Sequence, residues 1–395
     1  MTSVVDTSVK FIHSTQSGSP ILNGTAGSGI ALLDALLVTG WGLQTAASLS
    51  VAGGVATITF SSTFPAVVDS VISVDGSSIA ALNGEQKVTS VGSNKVSFRT
   101  AAADGVATGT ITAKMAPAGW SKVFTGTNKA VYKSADPKAH GQYLRVDDSS
   151  PTSMRVVGYE SLSDIDTGTG PFPTSAQQAG GCYWTKSFAA QNGANPFFIA
   201  ADSRFVLVHL CPYAYASAKY VGGATNGFGD MIPTRQAGDA FATGLNGSLT
   251  ETSNAADRTL DSGFYTGVWF PRDYTGLGGP VINVRRPLIG SNESVSGRDT
   301  SFGTFPSKFD GRLMLSDVVC SADGSSPIRC FVPGLYHAPQ AGLSASFSRG
   351  NIVPGRGKLE GRNLFALASF YAGQSLSTGI QDLGISFVDI TGPWR

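Results

Sequence analysis

The chain has 395 residues with 28 basic and 27 acidic side chains, so its net charge is only +1. Such a length allows two or three compact domains, because single hydrophobic cores rarely grow beyond about 250 to 300 residues. The balanced, evenly spread charge argues against nucleic acid as a partner. No run approaches the roughly 18 apolar residues of a membrane span, and the start lacks a signal-peptide pattern. We therefore expect a soluble protein made in the cytoplasm, with no membrane partner.

The composition favours β-structure. Charged residues make up 14% of the chain, against roughly 25% in ordinary soluble domains, and there are 49 glycines. This balance is typical of short strands separated by many turns. We expect an all-β fold with minor α content.

Residues 1–48 are predicted to join the main domain through one strand at 9–12 and one helix. The helix is expected over 28–39, with Ser28 as its N-cap and Gly40 as its stop. Its apolar positions at spacings of three and four are Ile30, Leu32, Leu33, Leu36 and Leu37. Such a helix either docks a partner or covers the edge of a sheet, and the second is favoured.

Residues 49–116 are predicted to form a small inserted β-module. The alternating segments VATITF and KVSFRT are separated by glycine-containing turns, which is typical of antiparallel hairpins. The repeated GVAT at 54–57 and 105–108 is expected to begin the first and last strands, which would bring the module's two ends together. The pattern predicts a small β-barrel or an immunoglobulin-like module.

Residues 117–395 are expected to form the main domain. Short apolar segments such as PFFIAAD and RFVLVHL alternate with loops, which predicts a β-sandwich or a jelly-roll-like fold. The stretches 217–238 and 244–262 lack a strand pattern. We expect long loops there, of the kind that contact other subunits.

No motif for catalysis, cofactor binding or metal binding is recognisable. The chain lacks HExxH, GxSxG, CxxC and P-loop patterns. His209 lies in the apolar run FVLVHLCPY and is predicted to be a core histidine with a hydrogen-bond partner. Cys211, next to Pro212 in that run, would be a poor thiolate site. We therefore predict no catalytic, cofactor-binding or metal-ligating residue.

Paired carboxylates were considered because glycan hydrolysis needs two carboxyl groups about 5 to 10 Å apart. The candidate pairs are Asp147 with Asp148, Asp164 with Asp166, and Asp261 with Asp273. The first two pairs lie in turn-like segments, where acidic side chains ordinarily hydrogen-bond the local backbone. Calcium at the second pair is disfavoured, because the terminal glutamate of an EF-hand loop is missing.

Two cysteines stand out by position. Cys320 and Cys330 flank the turn-like segment SADGSSPIR, so they can face each other across a hairpin. Either they form a disulfide in an oxidising environment, or they remain buried thiols, which is favoured.

Aromatic clusters admit two interpretations, which are stacking on a sugar or partner and packing in the core. Core packing is favoured for most of them. The clusters are Tyr183–Trp184, Tyr213 with Tyr215, Phe264–Tyr265, Trp269–Phe270, and Tyr274.

The C-terminus is predicted to be tied down. Phe387, Val388 and Ile390 predict a last strand, after which a Gly-Pro turn lets Trp394 pack as a plug. The segment docks either on its own domain, which is favoured, or on a neighbouring subunit. Phe387 and Trp394 are the candidate interface anchors in the second case.

Several segments together resemble a family of virion structural proteins of tailed phages and prophages of proteobacteria. They are VKFIHSTQSGSPILNGTAGSGIALLDALLVTGWGLQT, GYESLSDIDTGTGPFPT, FVPGLYHAPQAGL, GRGKLEGRNLFALASF and GISFVDITGPWR. The module at 49–116 is also similar to barrel or immunoglobulin-like units of phage virion proteins.

The resemblance implies a non-enzymatic structural protein of the virion, assembled in the host cytoplasm and placed in the tail or neck, at the baseplate, tail tip or collar. Its partners would be other virion proteins and further copies of itself. The alternatives are a capsid decoration protein and a tail protein that binds or depolymerises a host surface glycan.

Overall fold

A computed structural model of the protein describes residues 3–212, 222–251, 259–260, 267–286, 311–322, 327–338, 343, 346–368 and 385–395. Within these ranges the chain is almost entirely β-structure, which confirms the predicted fold class. The α-helix α1, Ser28–Asp34, continues directly into a π-helical turn, Ala35–Thr39. Short 3-10 turns lie at Ala80–Leu82 and Gly357–Leu359.

The strands are β1 Lys10–His13, β2 Trp41–Ala52, β3 Val55–Phe60, β4 Val71–Asp75, β5 Gly84–Val91, β6 Lys95–Arg99, β7 Gly105–Val106, β8 Thr112–Met115, β9 Trp120–Gly126, β10 Lys129–Ser134, β11 Tyr143–Asp147, β12 Ser153–Leu162, β13 Gly168–Phe172, β14 Cys182–Thr185, β15 Phe197–Ala201, β16 Phe205–Leu210, β17 Ala224–Asp230, β18 Ile232–Pro233, β19 Thr243–Leu245, β20 Gly267–Phe270, β21 Val281–Arg286, β22 Ser316–Ser321, β23 Ile328–Ala338, β24 Ile352–Pro354, β25 Asn363–Ala368 and β26 Ile385–Asp389.

The inserted module is a closed six-stranded barrel. Its strands follow the order β2-β3-β6-β5-β4-β8, and β8 pairs again with β2. The barrel begins at Trp41 and not at residue 49, because β2 is a single 12-residue strand whose first residue lies opposite Met115. The two GVAT segments therefore begin β3 and the short β7, and not the first and last strands. The ends of the module are neighbours, as predicted.

The main body is a sandwich of two sheets. A six-stranded sheet, β13-β12-β11-β10-β9 with β14 on β12, packs against one face of a 13-stranded sheet that begins with β1 and β15. The first core lies between them and includes Ile199 and Val208 of the large sheet and Val146 and Trp184 of the small one. The pairing of β1 with β15 joins the N-terminal segment to this body, as expected.

The large sheet is buried on both faces because it curls back on itself. Along β15, Ile199 faces the first core and Phe198 faces a second one. The ring of Phe198 stacks on that of Phe365 in β25 at 4.2 Å between centroids, although their strands are far apart in the strand order. Burial on both faces explains why β15 and β16 read as continuous apolar runs.

One predicted loop is a buried strand. In the stretch 217–238, residues 217–221 lie outside the described ranges, but Ala224–Asp230 forms β17 between β16 and β19. Its sequence, ATNGFGD, lacks the β-branched and aromatic pattern of a strand. All seven residues are buried, because two neighbouring strands supply the hydrogen bonds and both cores cover the faces.

The predicted helix over 28–39 is present, but its cap differs from the prediction. The Ser28 hydroxyl donates to the carbonyl of Asn23 instead of capping. The carboxylate of Asp148 accepts the backbone N–H groups of Gly29 and Ile30, at 2.8 and 3.1 Å. Asp148 also forms an ion pair with Lys186, and both side chains are fully buried. A residue about 120 positions away therefore caps this helix, and no local pattern reveals it.

We expect the main body to fold without the barrel. Because Trp41 and Met115 are directly opposite, a short Gly/Ser linker can replace residues 42–114 without displacing either end. The shortened protein should unfold cooperatively but at a lower melting temperature, since the Lys10–Glu85 ion pair and the Asn363–Asp69 hydrogen bond are lost. Calorimetry of both proteins tests this, and an insoluble or non-cooperative product would show that the barrel is integral to the body.

Candidate functional site

The carboxylate pairs considered for hydrolysis are engaged in local structure. Asp166 forms ion pairs with Lys129 and Arg145, and Asp147 lies within ion-pair distance of the same two cations. The carboxylate of Asp164 accepts the backbone N–H of Asp166 at 2.8 Å. The Asp164 contact is the predicted hydrogen bond to the local backbone, whereas Asp166 and Asp147 also form ion pairs with Lys129 and Arg145, which the sequence did not predict.

The remaining candidate carboxylates that the structure describes also have hydrogen-bond partners within the protein. Asp148 belongs to the helix cap, and Asp273 accepts the backbone N–H of Thr275 at 3.0 Å. Asp261 lies outside the described residues. Across the described ranges no group of three or more His, Cys, Asp or Glu side chains is arranged to hold a metal ion.

His209 and the cysteines behave largely as predicted. The Nδ1 atom of buried His209 lies 2.8 Å from the hydroxyl oxygen of Thr225, which confirms a core histidine with a partner. Cys320 lies directly opposite Cys330 in the pairing of β22 with β23, and both are buried free thiols. Burial, and then the neighbouring Cys320, raise the pKa of the Cys330 thiol well above its usual value. The facing arrangement is confirmed, whereas the disulfide stays a prediction.

Most described aromatic residues pack in the cores. Trp184, Trp269 and Phe270 are buried, whereas Tyr183 lies beneath the guanidinium of Arg155. Tyr274 is the exception among the described members of the clusters, since 48% of it is exposed. The members Tyr213, Tyr215, Phe264 and Tyr265 lie outside the described residues.

The most connected polar site lies at the C-terminus, and we call it the C-terminal junction: Asp389–Arg395 with the groups that these residues contact. The fully buried carboxylate of Asp389 accepts the backbone N–H groups of Thr391 and Gly392, at 2.8 and 3.1 Å. It also forms an ion pair with Arg362 from the start of β25. This carboxylate therefore shapes the turn that follows β26.

Trp394 fills the space that this turn creates. It is 5% exposed, belongs to the second core and donates from Nε1 to the carbonyl of Asp389 at 2.8 Å. Gly334 has φ +68°, and a side chain there would meet the indole ring. Phe387 is likewise fully buried in a core of this chain. Both predicted interface anchors thus hold the C-terminus on its own domain, so they are not available on the surface for a neighbouring subunit.

The barrel reaches the junction through Lys87 of β5. Its ammonium, in a residue only 2% exposed, donates to the carbonyls of Ile390 and Thr391 at 3.1 and 3.0 Å. Burial lowers the pKa of Lys87 to about 8, although the carboxylates of Asp69, Asp6 and Asp389 partly oppose the shift. One buried cation therefore fastens the barrel to the last residues of the chain.

The N-terminal segment and β17 close the junction from the other sides. Gly392 has φ +72° and packs so tightly against Asp6, Ser8 and Val9 that a side chain would collide with them. The guanidinium of Arg395 donates to the carboxylate of Asp202 and to the carbonyl of Asp230, at 2.8 and 2.9 Å. Asp389 and Lys87 were missed by the sequence analysis, because each lies in an ordinary strand pattern.

No protein-family model matches the chain, and no curated protein matches it either. None of the helices in the described ranges is both long and apolar enough to cross a membrane.

We predict that Trp394→Ala destabilises the isolated protein by about 3 to 5 kcal/mol, because it leaves a cavity in the second core and a carbonyl without its donor. Removing Gly392–Arg395 should lower the melting temperature at least as much. Leu277→Ala, at a position 74% exposed, is the control and should leave the melting temperature unchanged. A normal melting temperature for Trp394→Ala would show that the indole does not anchor the C-terminus.

Lys87 should make stability depend on alkaline pH. Below pH 8 its ammonium is charged in both the folded and unfolded chains, so the cost of burying the charge is fully present. Between pH 8 and the ordinary pKa of 10.5 the folded chain loses the proton and the unfolded chain keeps it, which stabilises the folded state by on the order of 3 kcal/mol. The stability difference between wild type and Lys87→Met should therefore grow in favour of wild type from pH 7 to pH 10 in urea titrations.

Lys95→Met supplies the control, because Lys95 is an exposed lysine of the same barrel. Its stability difference from wild type should stay constant over that range. A constant difference for Lys87→Met as well would contradict the assigned role of the buried ammonium.

Proposed function

We propose that this chain is a non-enzymatic structural protein of a tailed-phage particle, placed in the tail or neck. The observation that carries the proposal is the C-terminal junction, which holds a closed barrel rigidly on a large β-body. Buried ionic and backbone contacts from Lys87, Asp389 and Arg395 converge there. Rigid mounting of a separate module suits a component whose task is to hold a defined geometry between neighbours.

The resemblance to virion structural proteins points in the same direction. Its described segments supply framework elements: residues 9–45 contribute β1 and α1, residues 158–174 contribute β13, and residues 385–395 form β26 and the junction. The residues that carry the resemblance thus serve folding and fastening. Among their described residues, no group of three or more His, Cys, Asp or Glu side chains is arranged to hold a metal ion.

The barrel itself also suits a crowded assembly. The six barrel strands close on one another and leave only the two-residue β7 at an edge, so the barrel itself offers little for edge-to-edge pairing between neighbouring copies. In this proposal the partners are other virion proteins and further copies of the chain, and the protein reaches the virion after assembly in the host cytoplasm. The non-enzymatic part rests on the ion pairs and hydrogen bonds that already engage the described carboxylates.

Density-gradient purification of phage particles from the source cells tests the proposal. We expect quantitative mass spectrometry to find the chain at a fixed copy number per particle, and imaging to place it in the tail or neck. Placement on the capsid would favour a decoration protein instead, and a chain that stays free in the lysate would overturn the virion role. Release of reducing sugar from host polysaccharide by the purified protein would overturn the non-enzymatic part.

A further inference from the structure

A cleft of about 450 Å³ lies where β18, the turn between β20 and β21, and the start of β23 meet, and we call it the β18 cleft. This volume falls in the range of roughly 300 to 1,000 Å³ that is usual for small-molecule sites. Its polar lining residues are Thr234, Arg235, Asp273, Tyr274, Asn283 and Arg329. The cleft takes no part in the C-terminal junction.

An aromatic ring stands at the rim of the β18 cleft. Tyr274 is 48% exposed, and the guanidinium of Arg235 lies over its ring, 4.5 Å from the centroid. Arg235 forms no ion pair with any described residue. The cation covers one face of the ring, and about half of the residue stays accessible for contact with an apolar surface of a ligand.

Asn283 supplies the observation that points to a ligand. The residue is only 3% exposed and lines the cleft, yet its side-chain amide hydrogen-bonds to none of the described residues. Its amide atoms are not among the fully buried side-chain atoms that lack a partner, so they reach the open cleft, where water or a ligand can satisfy them. Since an amide offers two donors and an acceptor, it fits a partner that does both, as a hydroxyl does.

Among the described residues that line the cleft, the charges balance. Arg329 is paired with buried Asp239, with 2.8 Å between Nε and Oδ2, which leaves Arg235 opposed by Asp273. Burial acts to raise the pKa of Asp273, but its hydrogen bonds with Thr275 and the charge of Arg329 outweigh that effect and hold the pKa below its usual value. Asp273 therefore accepts hydrogen bonds at neutral pH. An anionic ligand would gain from Arg235 but would be repelled by Asp273.

We propose that the β18 cleft binds a neutral pyranose ring of a saccharide. The ring's C–H face packs on Tyr274, and its hydroxyls donate to Asp273 and pair with the amide of Asn283. With one aromatic contact, the dissociation constant should be on the order of 1 mM. The proposal does not rest on the virion role, and either can fail without the other.

Saturation-transfer NMR on the full chain tests this with the methyl glycosides of glucose, galactose, mannose, rhamnose and N-acetylglucosamine, and with glucuronate as the acidic probe. We expect at least one neutral glycoside to receive saturation from the wild type, and its signal to fall at least fivefold in Tyr274→Ala. Asp273→Asn should also weaken that signal, because a charged acceptor is lost. Melting temperatures establish that each variant is folded.

Tyr143→Ala is the matched control, since Lys133 lies over the Tyr143 ring at 4.4 Å in a cation–tyrosine pair outside the cleft. It should bind the glycoside as the wild type does. Three results would overturn the proposal: no transfer to any neutral glycoside, equal transfer in wild type and Tyr274→Ala, or a preference for glucuronate that Asp273→Asn strengthens. The last result would identify an anion site.

Discussion

The buried carboxylate of Asp389 is the contact on which the arrangement of the chain depends. It accepts two backbone N–H groups and pairs with Arg362. These contacts form the turn that exposes the carbonyls of Ile390 and Thr391 to Lys87. The same turn directs Trp394 into the second core. Without this carboxylate, two backbone donors and a guanidinium would lose their acceptor at one place, and unmet buried polar groups are among the costliest defects in a protein.

The curvature of the large sheet explains why one terminal segment contacts parts of the chain that are distant in sequence. The sheet curls until β15 meets β25. As a result, the N-terminal strand β1, the C-terminal strand β26 and the barrel come together at the C-terminal junction. The N-terminal residues then cover the turn at Gly392, where only a glycine fits. The charged residues there join elements that are distant in sequence, which is a structural use of groups that in an enzyme would serve catalysis.

The two proposals concern different parts of the molecule. The C-terminal junction ties the barrel to the body, and its polar groups are engaged with one another. At the β18 cleft the polar groups are less fully engaged, since Asn283 makes no side-chain hydrogen bond to a described residue and Arg235 contacts the Tyr274 ring but forms no ion pair with the described residues.

Local periodicity and turn patterns were enough to predict the all-β class, the helix over 28–39, a small inserted β-module with adjoining ends, and the facing of Cys320 and Cys330. The pattern left that module open between a barrel and an immunoglobulin-like unit, and strand pairing in the fold closes it into a barrel. The burial of β17, the capping of α1 by Asp148, and the role of Lys87, which reaches a carbonyl 303 positions away, appear only in the folded chain. The physical reason is that a strand or helix pattern reports which face of an element is apolar. It does not report which distant polar group will meet that element, because the curling of the large sheet sets those pairings.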